Sequence, residues 1–181
     1  MRVLGISGSL RADSYNSQLL HAARELLPAG VEFELYDGLR ELPPYDQDLE
    51  NAGVTVPVRA LRERIGAADV LLIATPEYNG SIPGLLKNAI DWASRPRGAA
   101  SLANKPVAVI GATTGAFGGV WAQADTRKVL GIAGARVIEF EMAIPFAPDC
   151  FAEGGLVDPK FRAQLGELMR QLAEFRIADA A

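Results

Sequence analysis

The seven residues Asp69-Val70-Leu71-Leu72-Ile73-Ala74-Thr75 form a strand-length apolar run without alternation, the pattern of a strand covered on both faces. Such a strand needs helices above and below it, which restricts the chain to layered α/β arrangements. The flanking sequence supplies the remaining layers. Val3-Leu4-Gly5-Ile6 reads as a first buried strand and residues 18–27 as a helix, while residues 31–36 alternate as an edge strand with glutamates on one face. A Pro/Asp-rich connection over residues 42–48 and a helix over residues 57–67 lead into the central run. Beyond it, Pro83 suits the first turn of a helix with Leu86, Ala89, Ile90 and Ala93 near one face. Residues 105–111 then give a fourth strand, residues 120–132 a helix, residues 136–142 a fifth strand and residues 160–175 a last amphipathic helix.

Five such strand–helix units in 181 residues predict one domain over residues 1–181: a three-layer fold with a five-stranded parallel sheet, order 2-1-3-4-5, and helices on both faces. In this order ligands bind outside the carboxyl ends of the strands, near the switch between strands 1 and 3. The loops over residues 8–17, 75–82 and 112–119 should therefore converge, and each is compositionally unusual.

The first, Gly8-Ser9-Leu10-Arg11-Ala12-Asp13-Ser14-Tyr15-Asn16-Ser17, leaves a strand and enters a helix. Such a turn aims amide N–H groups and the positive end of a helix dipole at one spot, which suits a phosphate. Ser9, Ser14, Asn16 and Ser17 add hydrogen-bonding side chains there, and Arg11 adds a guanidinium suited to phosphate oxygens. The loop has no lysine, so it is not a Walker A loop, and Gly5-Ile6-Ser7-Gly8 falls short of Gly-x-Gly-x-x-Gly. Nor has it a thiol, since Cys150 is remote in sequence. The pattern favours holding a phosphorylated cofactor over phosphate chemistry.

The second loop, Thr75-Pro76-Glu77-Tyr78-Asn79-Gly80-Ser81-Ile82-Pro83-Gly84, is stiff, as a planar heterocycle met by fixed backbone groups requires. An acid–base role for Glu77 is disfavoured, because a lone loop carboxylate is more often solvated or hydrogen-bonded. The third loop holds Gly115, Gly118 and Gly119, which leaves its backbone open to close approach. Trp121 just beyond it reads as buried in preference to a subunit contact or a wall of the site, and His21 as an exposed helix position or a local hydrogen-bonding group in preference to a catalytic one.

Net charge of −4 without a Lys/Arg run argues against nucleic-acid partners, and no apolar window is long enough for a membrane span. Met1-Arg2-Val3 enters a strand directly, with no cleavable apolar signal, so a cytoplasmic location is expected. One cysteine and one histidine leave no conventional metal site, and none is expected.

Two motifs in this chain resemble a known family. Gly8-Ser9-Leu10-Arg11-x-x-Ser14-x-Asn16, followed by Thr75-Pro76-Glu77-Tyr78-Asn79-x-x-Ile82-Pro83-Gly84-x-Leu86-Lys87-Asn88-Ala89-Ile90-Asp91-Trp92, is similar to the flavodoxin-like NAD(P)H-dependent FMN reductases, which include bacterial quinone, chromate and azo-dye reductases. The resemblance implies FMN, with NADPH or NADH as co-substrate. Ser9, Arg11, Ser14, Asn16 and Ser17 would hold the FMN phosphate, with Tyr15 presenting its backbone there. Pro76, Glu77, Tyr78 and Asn79 would border the isoalloxazine ring, and Thr113, Thr114 and Gly115 would approach from the other side. Trp121 stands where relatives of the quinone and chromate reductase type customarily carry arginine.

The same resemblance implies ping-pong transfer of a hydride from the nicotinamide through flavin N5 to a small acceptor: a quinone, chromate, an azo compound or free flavin. It names no catalytic side chain, and it implies a homodimer or homotetramer with the flavin near the subunit interface. The alternative is a flavodoxin-type electron carrier without its own substrate, which usually presents a strongly acidic face. No ribose-phosphate site separates NADPH from NADH, because Arg127 and Arg136 read equally as surface residues.

Overall fold

The computed structural model describes residues 1–152 and 155–179, with side chains through residue 174. Four strands, β1 (Arg2–Ser7), β2 (Glu32–Tyr36), β3 (Val70–Ala74) and β4 (Pro106–Ala112), pair in parallel in the spatial order β2-β1-β3-β4. The expected fifth strand is present in two pieces, β5 (Arg136–Val137) and β6 (Ala143–Ile144), which both pair with β4. This is the flavodoxin-like order 2-1-3-4-5 read from the sequence.

The helices are α1 (Tyr15–Glu25), α2 (Gln47–Ala52), α3 (Val56–Ala67), α4 (Gly84–Ala93), α5 (Val120–Ile132), α6 (Ala147–Cys150) and α7 (Pro159–Asp179). A 3-10 turn spans Gly38–Glu41, and β7 (Phe151–Ala152) pairs antiparallel with β8 (Gly155–Leu156). The unbroken run in β3 is explained by its two covers. Val70, Leu72 and Ala74 face a core built with Leu19 and Leu20 of α1 and Leu165, Leu168 and Leu172 of α7. Leu71 and Ile73 point the other way, into a core with Leu61 and Ile65 of α3 and Leu86 and Ile90 of α4. Burying a Leu or Ile side chain contributes about 1.5–3 kcal/mol, so this alternation fixes the register of the central strands.

Three readings of local structure change. Helix α1 begins at Tyr15 and not at residue 18, because the Ser14 hydroxyl accepts from the N–H groups of Asn16 and Ser17 at 3.2 and 3.4 Å and caps the helix. The connection over residues 42–48 contains the start of α2, capped by the Asp46 carboxylate on Asp48 N–H at 2.8 Å. That connection is also tied down by the second motif. Asn88 accepts from Tyr45 N–H at 2.7 Å and donates to Pro43 O at 2.9 Å, while the Trp92 indole donates to the same carbonyl at 2.8 Å.

The third change lies in the fifth strand. Residues 136–142 do not form a continuous ladder: the chain leaves β4 after Ile138, makes a tight turn with Phe140 N–H on Ile138 O at 3.0 Å, and returns at Met142. Arg127 of α5 fills the gap. One of its terminal nitrogens donates at 3.1 Å to Val109 O on β4, to Phe140 O in the excursion and to the Gln123 side chain. Arg127 is therefore an interior element of the sheet edge and not the surface residue the sequence allowed. Burial pulls its guanidinium below the ordinary arginine pKa, partly offset by Glu141.

Candidate functional site

Parallel strands place all their carboxyl ends on one edge, and β1, β3 and β4 are neighbours there. Gly8 N–H reaches Ala74 O at 2.8 Å and Thr75 N–H reaches Ile110 O at 2.9 Å, so the pairing continues one residue into the loops. The three predicted loops thus leave side by side.

The first loop is organised around Ser7. Its hydroxyl meets the Ser17 hydroxyl at 3.0 Å and accepts from Ser9 N–H at 3.4 Å, and the Ser9 hydroxyl accepts from Arg11 N–H at 3.3 Å. Arg11 lies over the Tyr15 ring, 5.4 Å from its centroid, and among the described residues its guanidinium meets no carboxylate. Tyr15, the first residue of α1, has no hydrogen-bond acceptor for its N–H among the described residues, as its place at a helix start dictates. Ser9, Ser17, Arg11 and the Tyr15 amide form a donor set suited to an oxyanion.

Ser14 and Asn16 sit deeper. Ser14 is buried beneath the helix start that it caps. Asn16, also buried, donates from its amide to Ala112 O at 2.9 Å and accepts from Ala112 N–H at 3.0 Å. One side chain thereby completes both main-chain groups of the last residue of β4 and fixes the first loop against the third.

In the second loop Pro76 is buried, and Tyr78 and Ser81 exchange two 3.2 Å main-chain bonds around Asn79 (φ 53°) and Gly80 (φ 71°). Two consecutive positive φ values make the tight turn of a two-residue hairpin, which Asn-Gly suits. Glu77 is engaged: one carboxylate oxygen accepts from the N–H groups of Trp121 and Ala122, both at 3.0 Å, at the first turn of α5. The Ser81 hydroxyl adds a 2.6 Å bond to Asp125 on the same helix. The second loop is thus latched twice to the helix that follows the third.

The third loop is held from behind. Thr113 N–H donates to Ile144 O at 3.0 Å, and Thr113 O accepts from Ala147 N–H at 2.9 Å. Gly115 O accepts from Phe146 N–H at 3.1 Å, with Phe146 itself at φ 46°. Thr114 and Gly115 are exposed. Gln123, 1% exposed, donates to Gly118 O at 3.1 Å. Gly111 is required for this packing, since a Cβ there would lie 2.7 Å from Thr75 O and 2.9 Å from the Gln123 amide nitrogen.

Tyr78, Phe117, Val120 and Trp121 are all exposed beside these loops, and the Phe117 and Trp121 rings lie 5.1 Å apart. Trp121 reads as buried in the sequence, but 51% of it is accessible; it is the second residue of α5, and only its main-chain N–H is engaged, by Glu77. His21 is exposed, as expected. Among the described residues no three His, Cys, Asp or Glu side chains cluster to hold a metal, and no helix is long and apolar enough to cross a membrane. A cleft of about 780 Å³ lies elsewhere, where Arg95, Arg97 and the segment before β4 meet the end of α5. A cavity of about 310 Å³ adjoins the first loop and is lined by Ser7, Ser9, Arg11, Ser17, Asp37 and Arg40, among others.

Sequence reading missed Ser7, Arg40 and Gln123, and with them the interior position of Arg127. Gln123 and Arg127 carry a legible signal in their i, i+4 spacing on one helix face, whereas Arg40 reaches the first loop only through the turn after β2.

The model of the NADPH-dependent FMN reductase family matches residues 1–149. An NAD(P)H-dependent FMN reductase of Pseudomonas aeruginosa is 44% identical over 174 residues, covering 95% of this chain and 93% of that protein. A 2-hydroxy-1,4-benzoquinone reductase of a Burkholderia species is 46% identical over 129 residues, 71% of this chain and 69% of that protein. Among solved structures, the flavoenzyme NAD(P)H:(acceptor) oxidoreductase FerB of Paracoccus denitrificans superposes with a TM-score of 0.86 at 37% identity, covering 94% of this chain and 93% of that one.

Proposed function

The chain belongs to the NADPH-dependent FMN reductase family, and on that premise we propose that it is an NAD(P)H-dependent flavoenzyme, working as one domain over residues 1–181, that reduces quinones. The observation that supports this reading best is the donor set of the first loop, locked by Asn16 to the end of β4 and set beside a second loop stiffened by two latches to α5. Its chemistry fits a flavin phosphate. Arg11, Ser9, Ser17 and the Tyr15 amide would bind the phosphate directly, while Ser14 and Asn16 shape the loop through the bonds they already make. Pro76, Glu77, Tyr78 and Asn79 on one side, and Thr113, Thr114 and Gly115 on the other, would border the ring.

When bound, FMN supplies hydride acceptance from the nicotinamide and two-electron delivery to the acceptor. The protein's own contribution is positional: stiff loops hold one orientation, and backbone N–H groups favour negative charge near them. No side chain of this chain is assigned a proton transfer, because the Glu77 carboxylate is occupied by two N–H groups. Donor and acceptor would use the same open face in turn, giving ping-pong kinetics, with benzoquinones as the preferred class and chromate, azo compounds and free flavin as further acceptors.

A homodimer or homotetramer is part of the proposal. Exposed Tyr78, Leu85, Phe117, Val120 and Trp121 surround the site and suit a partner subunit. A cytoplasmic location goes with it.

The test is direct. Purified protein should release a flavin on heating that chromatographs as FMN, and should oxidise NADPH or NADH fastest when a benzoquinone is supplied as acceptor, with parallel double-reciprocal lines. Absence of bound or bindable FMN, or intersecting lines, would overturn the corresponding part. Light scattering reports the assembly, and a fully active monomer would refute its role.

A further inference from the structure

The cavity beside the first loop receives a second guanidinium, from Arg40. Strand β2 ends beside β1, with Tyr36 in register with Ile6, and the chain then turns through the 3-10 segment. Leu39, 2% exposed, anchors that segment in the core, so its neighbour Arg40 is carried back toward the first loop. There one terminal nitrogen of Arg40 donates to Leu10 O at 3.4 Å. Arg40 lines the same cavity as Ser9, Arg11 and Ser17, and among the described residues it has no ion-pair partner. Asp37 is the acid on the rim, so Arg11 and Arg40 together leave the cavity with a cationic excess.

We propose that Arg40 is the second cation of the phosphate subsite and makes the site selective for a phosphorylated flavin over its dephosphorylated form. The inference rests on the reading that this loop holds the FMN phosphate. A phosphate near neutral pH carries close to two negative charges. Arg11 alone would leave part of that charge to neutral donors; Arg40, lining the same cavity, supplies the remainder by charge-assisted bonds. Its second function is local, since the same guanidinium bonds the Leu10 carbonyl of the loop.

Flavin-stripped protein titrated separately with FMN and with riboflavin, followed by quenching of flavin fluorescence, tests this. Arg40→Gln should weaken FMN binding by about 10- to 100-fold, the effect of losing a hydrogen bond to a charged group, and leave riboflavin binding within about twofold. Arg40→Lys, which keeps the charge, should recover part of the loss. With the unchanged protein, raising salt should weaken FMN more than riboflavin, and this difference should shrink in Arg40→Gln. Equal FMN affinity in Arg40→Gln and the parent overturns the inference, as does an equal loss for both flavins, which would mark a loop-shaping role alone. Parent protein that binds riboflavin but gains nothing from the phosphate would overturn the loop assignment itself.

Discussion

Replacing Asn16 with alanine isolates the strongest tie between the first and third loops. The side chain is 3% exposed and satisfies both main-chain groups of Ala112, itself 2% exposed, at 2.9 and 3.0 Å. Alanine leaves a buried N–H and a buried C=O without partners, each costing about 1–3 kcal/mol. Water entering the vacated space relieves part of this, and the better helix propensity of alanine returns about 0.5 kcal/mol. The net loss should be about 2–4 kcal/mol, a fall in melting temperature of about 5–15 °C for a domain of this size. Urea unfolding of flavin-free protein, followed by circular dichroism, is the assay; the midpoint should fall with an unchanged slope. Repeating it with excess FMN separates lost affinity from lost stability, because ligand adds stability according to its dissociation constant. A loss below about 0.5 kcal/mol without flavin would show that the Ala112 groups are not held as described.

Glu77→Ala should destabilise by about 1–3 kcal/mol through the orphaned N–H groups at the start of α5, and Glu77→Gln by less than half of that; equal denaturation midpoints would contradict the latch. Gly111→Ala should cost about 1–3 kcal/mol or more by forcing Cβ onto Thr75 O, and a neutral result would mean that the second loop moves aside freely. Burial pushes the Tyr36 phenol up to about 12, against the ordinary 10. The unfolded chain therefore loses this proton first, and stability should fall as pH rises from about 10 to about 12; Tyr36→Phe should flatten that part of the profile. Burial, aided by Asp158 and Asp149, also raises the Cys150 thiol, so a thiol reagent should label it slowly in folded protein and quickly in urea.

The order of the sheet was readable because its determinants are local. The two-faced run in β3, the strand before Gly8 and the helix from Val120 to Ile132 each carry their pattern within a few residues. The three loops were readable for the same reason, since topology alone brings them to one edge. What escaped reading depends on partners distant in sequence. Ser14 and Asn16 look like phosphate ligands in a linear motif, yet the one is engaged as a helix cap and the other spans 96 residues to Ala112. Residues 136–142 have the composition of a strand, but the ladder breaks where a guanidinium on another element competes for the same carbonyls. The start of α5 at Trp121 is likewise held by a carboxylate 44 positions earlier.

That broken ladder has a further consequence for the protein in a crowded solution. A parallel sheet has two borders, and an uninterrupted outer strand would offer a row of free amides and carbonyls on which another chain could polymerise. Here the outer border beyond β4 consists of two dipeptide strands separated by a turn, and the carbonyl of Phe140 inside the gap is already bound by Arg127. An arginine is effectively never deprotonated in a protein, so this stopper keeps its charge at any physiological pH. The interruption thus shortens the surface available for edge-to-edge aggregation while the guanidinium preserves cohesion within the fold.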